Sequence, residues 1–274
     1  MKKILLFTIL PFIGFGQTQI GSDIDGEAAG DQSGRSVSLS ADGSTVAIGA
    51  YLNDGNGANS GHVRVYKNIA GTWTQIGSDI NGEAANDNSG WSVSLSTDGS
   101  TVAIGTPNND GNGVTSGHVR VYKNVTNVWT QIGSDINGES VGDGSGWSVS
   151  LSADGSTVAI GAFFNDGNGT DSGHVRVYKN IADVWTQIGD DIDGEAAGNR
   201  SGWSVSLSAD GSTVAIGAYL NDGNGTDSGH VRVYKNIADV WTQIGDDIDG
   251  EAVGDESGYS VSLSTNGSVI AIGA

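Results

Sequence analysis

The tetrapeptide Thr-Gln-Ile-Gly begins at Thr18, Thr74, Thr130, Thr186 and Thr242, so the chain repeats itself every 56 residues without an insertion. A unit of this length is one supersecondary motif that cannot bury its apolar side alone. Copies held in register therefore imply a solenoid, a propeller or another array. The copies are close: Ser145 to Ala162 returns unchanged at Ser201 to Ala218.

Within a unit, four short segments alternate apolar and polar residues, as half-buried strands do. In the second unit these are 91–96, 101–105, 118–123 and 129–133. In the first of them Trp91, Val93 and Leu95 share one face and three serines the other. Thr97-Asp98-Gly99-Ser100 is a turn, because Gly accepts positive φ and Asp bonds its own backbone. No segment has helical period. The expected fold is all-β: a β-propeller of four-stranded antiparallel blades, four complete units and a partial fifth, with large residues of one blade against small residues of the next. A β-helix is the structural rival. The fifth unit stops after its second strand, and Thr18-Gln19-Ile20-Gly21 reads as an unattached fourth strand. The expectation is accordingly that the natural protein continues past Ala274.

Residues 1–16 follow a different rule. Lys2 and Lys3 precede an apolar run from Ile4 to Phe15, and Gly14 and Gly16 flank Phe15 as small residues before a cleavage point. This is the pattern of a secretory signal peptide, too short to span a bilayer, leaving a mature domain of residues 17–274 that is secreted or held at the cell surface. That domain keeps 10 basic and 32 acidic residues and has no cysteine. Such a charge repels nucleic acid and anionic lipid, so neither is an expected partner, and divalent cations are.

Gly90-Trp91-Ser92-Val93, Gly146-Trp147-Ser148-Val149, Gly202-Trp203-Ser204-Val205 and Gly258-Tyr259-Ser260-Val261, each complete unit continuing to a Gly-His-Val-Arg-Val-Tyr strand and a Trp-Thr-Gln strand, resemble the FG-GAP repeat of integrin-α-like propellers in its secreted bacterial form. The Gly-Ala-Pro element of that family survives best as Gly105-Thr106-Pro107, and Ser33, Ser89, Ser145, Ser201 and Ser257 stand where the family has Phe. The resemblance implies a propeller. It also implies a calcium loop of Asp-x-Asp-x-Asp-Gly type between the first two strands, but here that connection holds a single carboxylate, too few for the site.

Metal ligands are sought instead in the acidic loop after each Thr-Gln-Ile-Gly. Its copies are Asp23, Asp25, Glu27, Asp31; Asp79, Asn81, Glu83, Asp87; Asp135, Asn137, Glu139, Asp143; Asp191, Asp193, Glu195, Asn199; and Asp247, Asp249, Glu251, Asp255. Calcium takes six to eight oxygens, and alternate acids around a glycine turn supply several. Solvated turn residues bonding the local backbone are the competing reading. The loop Asn165 to Asp171 reads as turn chemistry. His62, His118, His174 and His230 read as structural residues at a strand edge, and the recurring tryptophans as packing between blades.

Three functions remain open. Identical loops presented several times favour a non-enzymatic binding or adhesion module for an extracellular protein or polysaccharide. Catalysis asks for a constellation of differing groups, and the copies differ only at scattered places such as Arg35, Thr106, Pro107, Gly144 and Arg200. The sequence therefore reads as not an enzyme, with a polysaccharide-acting propeller enzyme or a purely structural surface spacer as alternatives.

Overall fold

A computed structural model describes residues 18–274; the leader, residues 1–16, lies outside the described residues. Four five-stranded sheets and a fifth of two strands, Ser260–Leu263 and Ile270–Gly273, follow one another, and in each larger sheet the first four strands pair in sequence order. In the second, Ser92–Leu95 pairs with Thr101–Thr106, that strand with His118–Val125, and that with Val128–Gln131, all antiparallel. A short fifth strand, Ile136–Asn137, prolongs the outer edge and pairs with the start of the third strand, Asn137 opposite His118. No helix occurs among the described residues.

The local sequence explains each reversal. Gly99 takes φ 69° and its N–H donates to the Ser96 carbonyl at 2.9 Å, closing the first hairpin. Between the third and fourth strands, Thr126 and Asn127 both have positive φ, the geometry that matches strand twist in a two-residue hairpin.

Each blade hides one face on the next. Ala103, Val119, Val121 and Ile136 of the second blade form one buried cluster with Leu151, Val158 and Ile160 of the third, and Trp185 packs on its margin. The serines of the first strands act across the same interface: Ser92 Oγ donates to the Gly146 carbonyl at 2.8 Å, and the Leu151 N–H donates to Ser94 Oγ at 3.0 Å. The backbones approach so closely here that a Cβ on Gly105 would lie 2.0 Å from the Gly146 oxygen, which only glycine avoids. Farther out, Trp129 Nε1 donates to the Ile76 carbonyl and Arg120 Nη2 to the Asn81 carbonyl, both at 2.8 Å.

The first strands of successive blades lie side by side and so line the axis of a propeller-like arrangement. The sheets do not close into a ring among the described residues. Leu39 of the first blade is 57% exposed, whereas its counterpart Leu95 is 8% exposed beneath the preceding blade. One strand expectation fails. Thr18–Gly21 is not a strand, because no third strand lies beside it among the described residues; the segment is held instead by Trp73 Nε1 donating to the Ile20 carbonyl at 2.9 Å.

Candidate functional site at the loop end of the blades

Register places all the chemistry-bearing residues at one end of the sheets. Ser92 opposes Gly105, Thr106 opposes His118 and His118 opposes Asn137, so Trp91, Pro107, His118 and the acidic loop share that end.

His118 opens the third strand with its imidazole 1% exposed, and neither ring nitrogen has a hydrogen-bond partner. Its Nδ1 lies 3.9 Å from Glu83 Oε2 and 3.8 Å from Asp135 Oδ2. The arrangement recurs as Glu27–His62–Asp79, Glu139–His174–Asp191 and Glu195–His230–Asp247, and in each trio one donor atom per residue lies within 4.8 Å of the others. An arginine two residues on completes the group: Arg176 Nη1 is 3.4 Å from Glu139 Oε1. Burial, and then the neighbouring arginine, push the His118 and His174 pKa down to about 4 against the pull of Asp135 and Asp191. The imidazoles are therefore neutral near pH 7 and offer a lone pair. Glu139 is raised, chiefly by burial and also by Asp191, with Arg176 opposing. A neutral imidazole lone pair and two crowded carboxylates form a set of groups that can hold a metal ion.

The acidic loop is thus divided among tasks. Its first residue joins the trio from outside: Asp79 Oδ1 accepts from Gln75 Nε2 at 2.6 Å, while Oδ2 faces His62. Asp135, Asp191 and Asp247 do the same, whereas Asp23 accepts from Gln19 and meets no histidine among the described residues. The second residue contributes backbone, since the carbonyls of Asp25, Asn81, Asn137 and Asp193 accept from the arginines. Only Asp249 also comes near an imidazole, 4.0 Å from His230. The third residue, Glu27, Glu83, Glu139 or Glu195, serves the histidine of the following blade, and Glu251 has no such partner among the described residues. The fourth closes the turn. Asp87 Oδ2 accepts from the Ala84 N–H and from Asn109 Nδ2, and Asp31, Asp143, Asn199 and Asp255 cap the corresponding N–H. Loop Asn165 to Asp171 is turn chemistry as expected, with Asp166 Oδ1 accepting from the Asp171 N–H at 2.8 Å.

The sites combine two consecutive loops around a histidine that sequence reasoning had set aside, and the available signal was that histidine, acid and arginine recur with one period. Three of the four sites reach a cleft through their aspartate: Asp79, Asp135 and Asp191 each line one, the last of about 430 Å³ together with Asp193, Tyr234 and Trp241.

At the axis, Trp91, Trp147, Trp203 and Tyr259 form a continuous row, with ring centroids 4.4, 4.9 and 5.4 Å apart. They line a cavity of about 470 Å³ that Arg35 also borders.

A family model described as FG-GAP repeat matches residues 22–66, 81–122, 137–178 and 192–234. No curated protein is detectably similar in sequence. Among solved structures, the Kuenenia stuttgartiensis hydrazine synthase is 15% identical with a TM-score of 0.57, over 94% of this chain and 58% of that one. A putative 6-phosphogluconolactonase from Bacteroides uniformis is 15% identical (TM-score 0.58, 86% and 63%), and the Pseudomonas aeruginosa periplasmic gluconolactonase is 18% identical (TM-score 0.54, 86% and 64%). The chain spans about three-fifths of the length of these structures.

These neighbours correct the sequence reading. A non-enzymatic binding or adhesion propeller was expected because a repeated unit offers no unique constellation, yet the matching fold carries enzymes, two of them lactonases by name. The argument from repetition also fails on geometry. Arg35, Thr106, Pro107, Gly144 and Arg200 look scattered in sequence, but register gathers them at the loop end of the blades.

Proposed function

The chain belongs to the FG-GAP repeat family, and on that premise we propose an enzyme that hydrolyses a sugar-derived substrate, a lactone or a polysaccharide, with a divalent cation at the Glu–His–Asp sites. The observation that carries the reading is the buried, neutral imidazole without a hydrogen bond, facing two carboxylates beside a cleft. A buried polar group left without a partner costs about 1–3 kcal/mol, so its retention in every complete blade calls for a ligand. The lactonase neighbours support the substrate class and the fold, at identities that extend no further.

The donor set fits a cation. Carboxylate oxygens suit calcium, and an imidazole nitrogen adds the taste of zinc or manganese. Bound there, a cation polarises a carbonyl and acidifies water. The protein's own groups do the rest. Glu139, its pKa raised by burial, is better suited to take up a proton than an ordinary carboxylate. The Arg176 guanidinium holds Glu139 in place and donates to the Asn137 carbonyl, fixing one blade to the next at the site. Trp241 and Tyr234 offer apolar walls to a sugar ring in the cleft. The basic start and apolar run of the leader support placing the protein outside the cell, secreted or on the surface, where polysaccharide or an extracellular protein partner is met.

Turnover of glucono-δ-lactone and of polysaccharides, followed before and after chelation and again with calcium, manganese or zinc restored, tests the reading. Activity abolished by chelator and by His174→Leu supports it. Indifference of every substrate to chelator and cation defeats it.

A further inference from the structure

Two arginines break the repeat. Every other cation among the described residues recurs once per blade, as the arginine of the third strand or the lysine three residues beyond it. Arg35 stands where the other copies have Trp91, Trp147, Trp203 and Tyr259, and Arg200 where they have Gln32, Asn88, Gly144 and Glu256. Arg35 borders the aromatic cavity at the axis, and Arg200 lies on phenylalanines of the neighbouring aromatic cluster. The Arg35 guanidinium lies 5.0 Å over Trp91, and Arg200 lies 5.7 and 5.3 Å over Phe163 and Phe164. Phe163 in turn touches Trp147 and Trp203, at 4.5 and 5.1 Å between centroids.

Arg200 has φ 57°, the left-handed conformation that its counterparts Gln32, Asn88, Gly144 and Glu256 also adopt, so the loop and not the side chain sets its backbone. Neither Arg35 nor Arg200 has a carboxylate within ion-pair reach among the described residues, although the chain carries a net charge of −20. The side chains that do hold Arg200 are aromatic, with the Tyr219 hydroxyl 2.9 Å from Nη1.

From these observations we propose that the axial cavity binds a sugar ring carrying a carboxylate or phosphate, packed on the Trp91–Trp147–Trp203 row and paired with Arg35, with Arg200 adding positive charge beside that row. The rings are half-buried, tilted against one another and line the cavity, so they offer apolar surface to the C–H face of a pyranose. Guanidinium groups recognise carboxylate and phosphate through paired N–H donors. In a strongly acidic protein an anionic sugar is repelled everywhere else, so two local cations decide where it settles. This cavity is separate from the cleft beside Asp191, and the inference rests on the reading above only for the bound sugar being a substrate.

Calorimetric binding of galacturonate trimer, its methyl ester and glucose 6-phosphate, in chelator so that no turnover occurs, is the test. Arg35→Trp with Arg200→Asn restores residues the repeat itself uses, so this variant folds at least as well as the parent. Its affinity for the anionic probes falls by about tenfold or more, while that for the methyl ester changes by less than about twofold. Trp147→Ala weakens both. Preference for the trimer assigns carboxylate, and preference for the phosphate assigns phosphate. No binding of either anion, or an unchanged double variant, overturns the proposal. Binding that survives in a protein without hydrolytic activity defeats the enzyme reading and leaves this one standing.

Discussion

The two ends of each blade use the same polar residues to opposite effect. At the turn end of the third blade, Asp154 Oδ1 accepts from Ser152 Oγ at 2.7 Å and from the Ser156 N–H at 2.9 Å, and Oδ2 accepts from Ser156 Oγ at 2.9 Å. Burial raises this carboxyl, but the three hydrogen bonds outweigh it and leave its pKa below the usual range. At the loop end, Glu139 and Asp191 converge on His174, whose nitrogens have no partner, and Glu139 is raised. A fully bonded carboxylate is structural. A carboxylate facing an orphaned imidazole has capacity left over for a ligand.

Acid breaks this contrast most strongly. In metal-free protein the buried histidines have folded pKa values depressed below 6.5, to about 4 for His118 and His174, so between those pH values the unfolded chain binds more protons. Stability is therefore full above pH 6.5 and is lost as the pH falls toward 4, by roughly 3 kcal/mol for each of these two histidines. Because carboxylates also titrate near the lower limit, the measurement is the difference in denaturant unfolding between the parent and His174→Leu across that window. Equal slopes for the two proteins would refute the assignment.

A divalent cation acts next. A ligand bound only by the native state adds about 2.7 kcal/mol per site at a hundredfold excess over its Kd, and the four trios add together. The melting temperature should rise with cation and return with chelator. Removing Asp154 instead of Glu139 should leave that response intact.

How much of this was legible in the sequence follows the range of the interactions. The hairpins were readable because Asp98-Gly99-Ser100 and the alternation of Val93 and Leu95 act within a few residues, and the strands fall within two residues of the expected bounds. The period told which faces meet. The short Ile136–Asn137 strand was missed because two residues carry no alternation. The trios were missed for a different reason. Glu139 enters from the loop before the blade and Asp191 from the loop after it, so each trio joins acids of two different loops. Asp87 accepts from the Ala84 N–H, a bond set by where the turn aims its carboxylate. Arg35 and Arg200 were noticed as departures, but only the structure shows each lying against aromatic rings at the loop end.

At the turn end, Asp154→Ala removes an acceptor of three hydrogen bonds. One of the donors, Ser152 Oγ, itself receives the Thr157 N–H at 2.9 Å, so the hairpin loses more than one contact. The expected cost is about 1–2 kcal/mol in denaturant unfolding, with cation binding unchanged. A cost indistinguishable from zero would show that these turn bonds merely replace equally good bonds to water.

The smallest effect is the most discriminating. His174 is 1% exposed with two unbonded nitrogens, so in metal-free protein at pH 7 His174→Leu deletes polar atoms that no hydrogen bond compensates. Leucine is of similar bulk, and replacing an unsatisfied polar group by an apolar one of the same shape is nearly neutral or stabilising, so the change should lie within about 1 kcal/mol of zero. A structural histidine at the strand edge would behave otherwise, because its loss would remove bonds that hold Glu139 and Asp191 in place. If the variant is strongly destabilised without metal, the imidazole belongs with the satisfied turn residues. If it is neutral without metal and has lost one site's share of the cation response, His174 is maintained for its ligand at a position where the fold alone gains nothing from it.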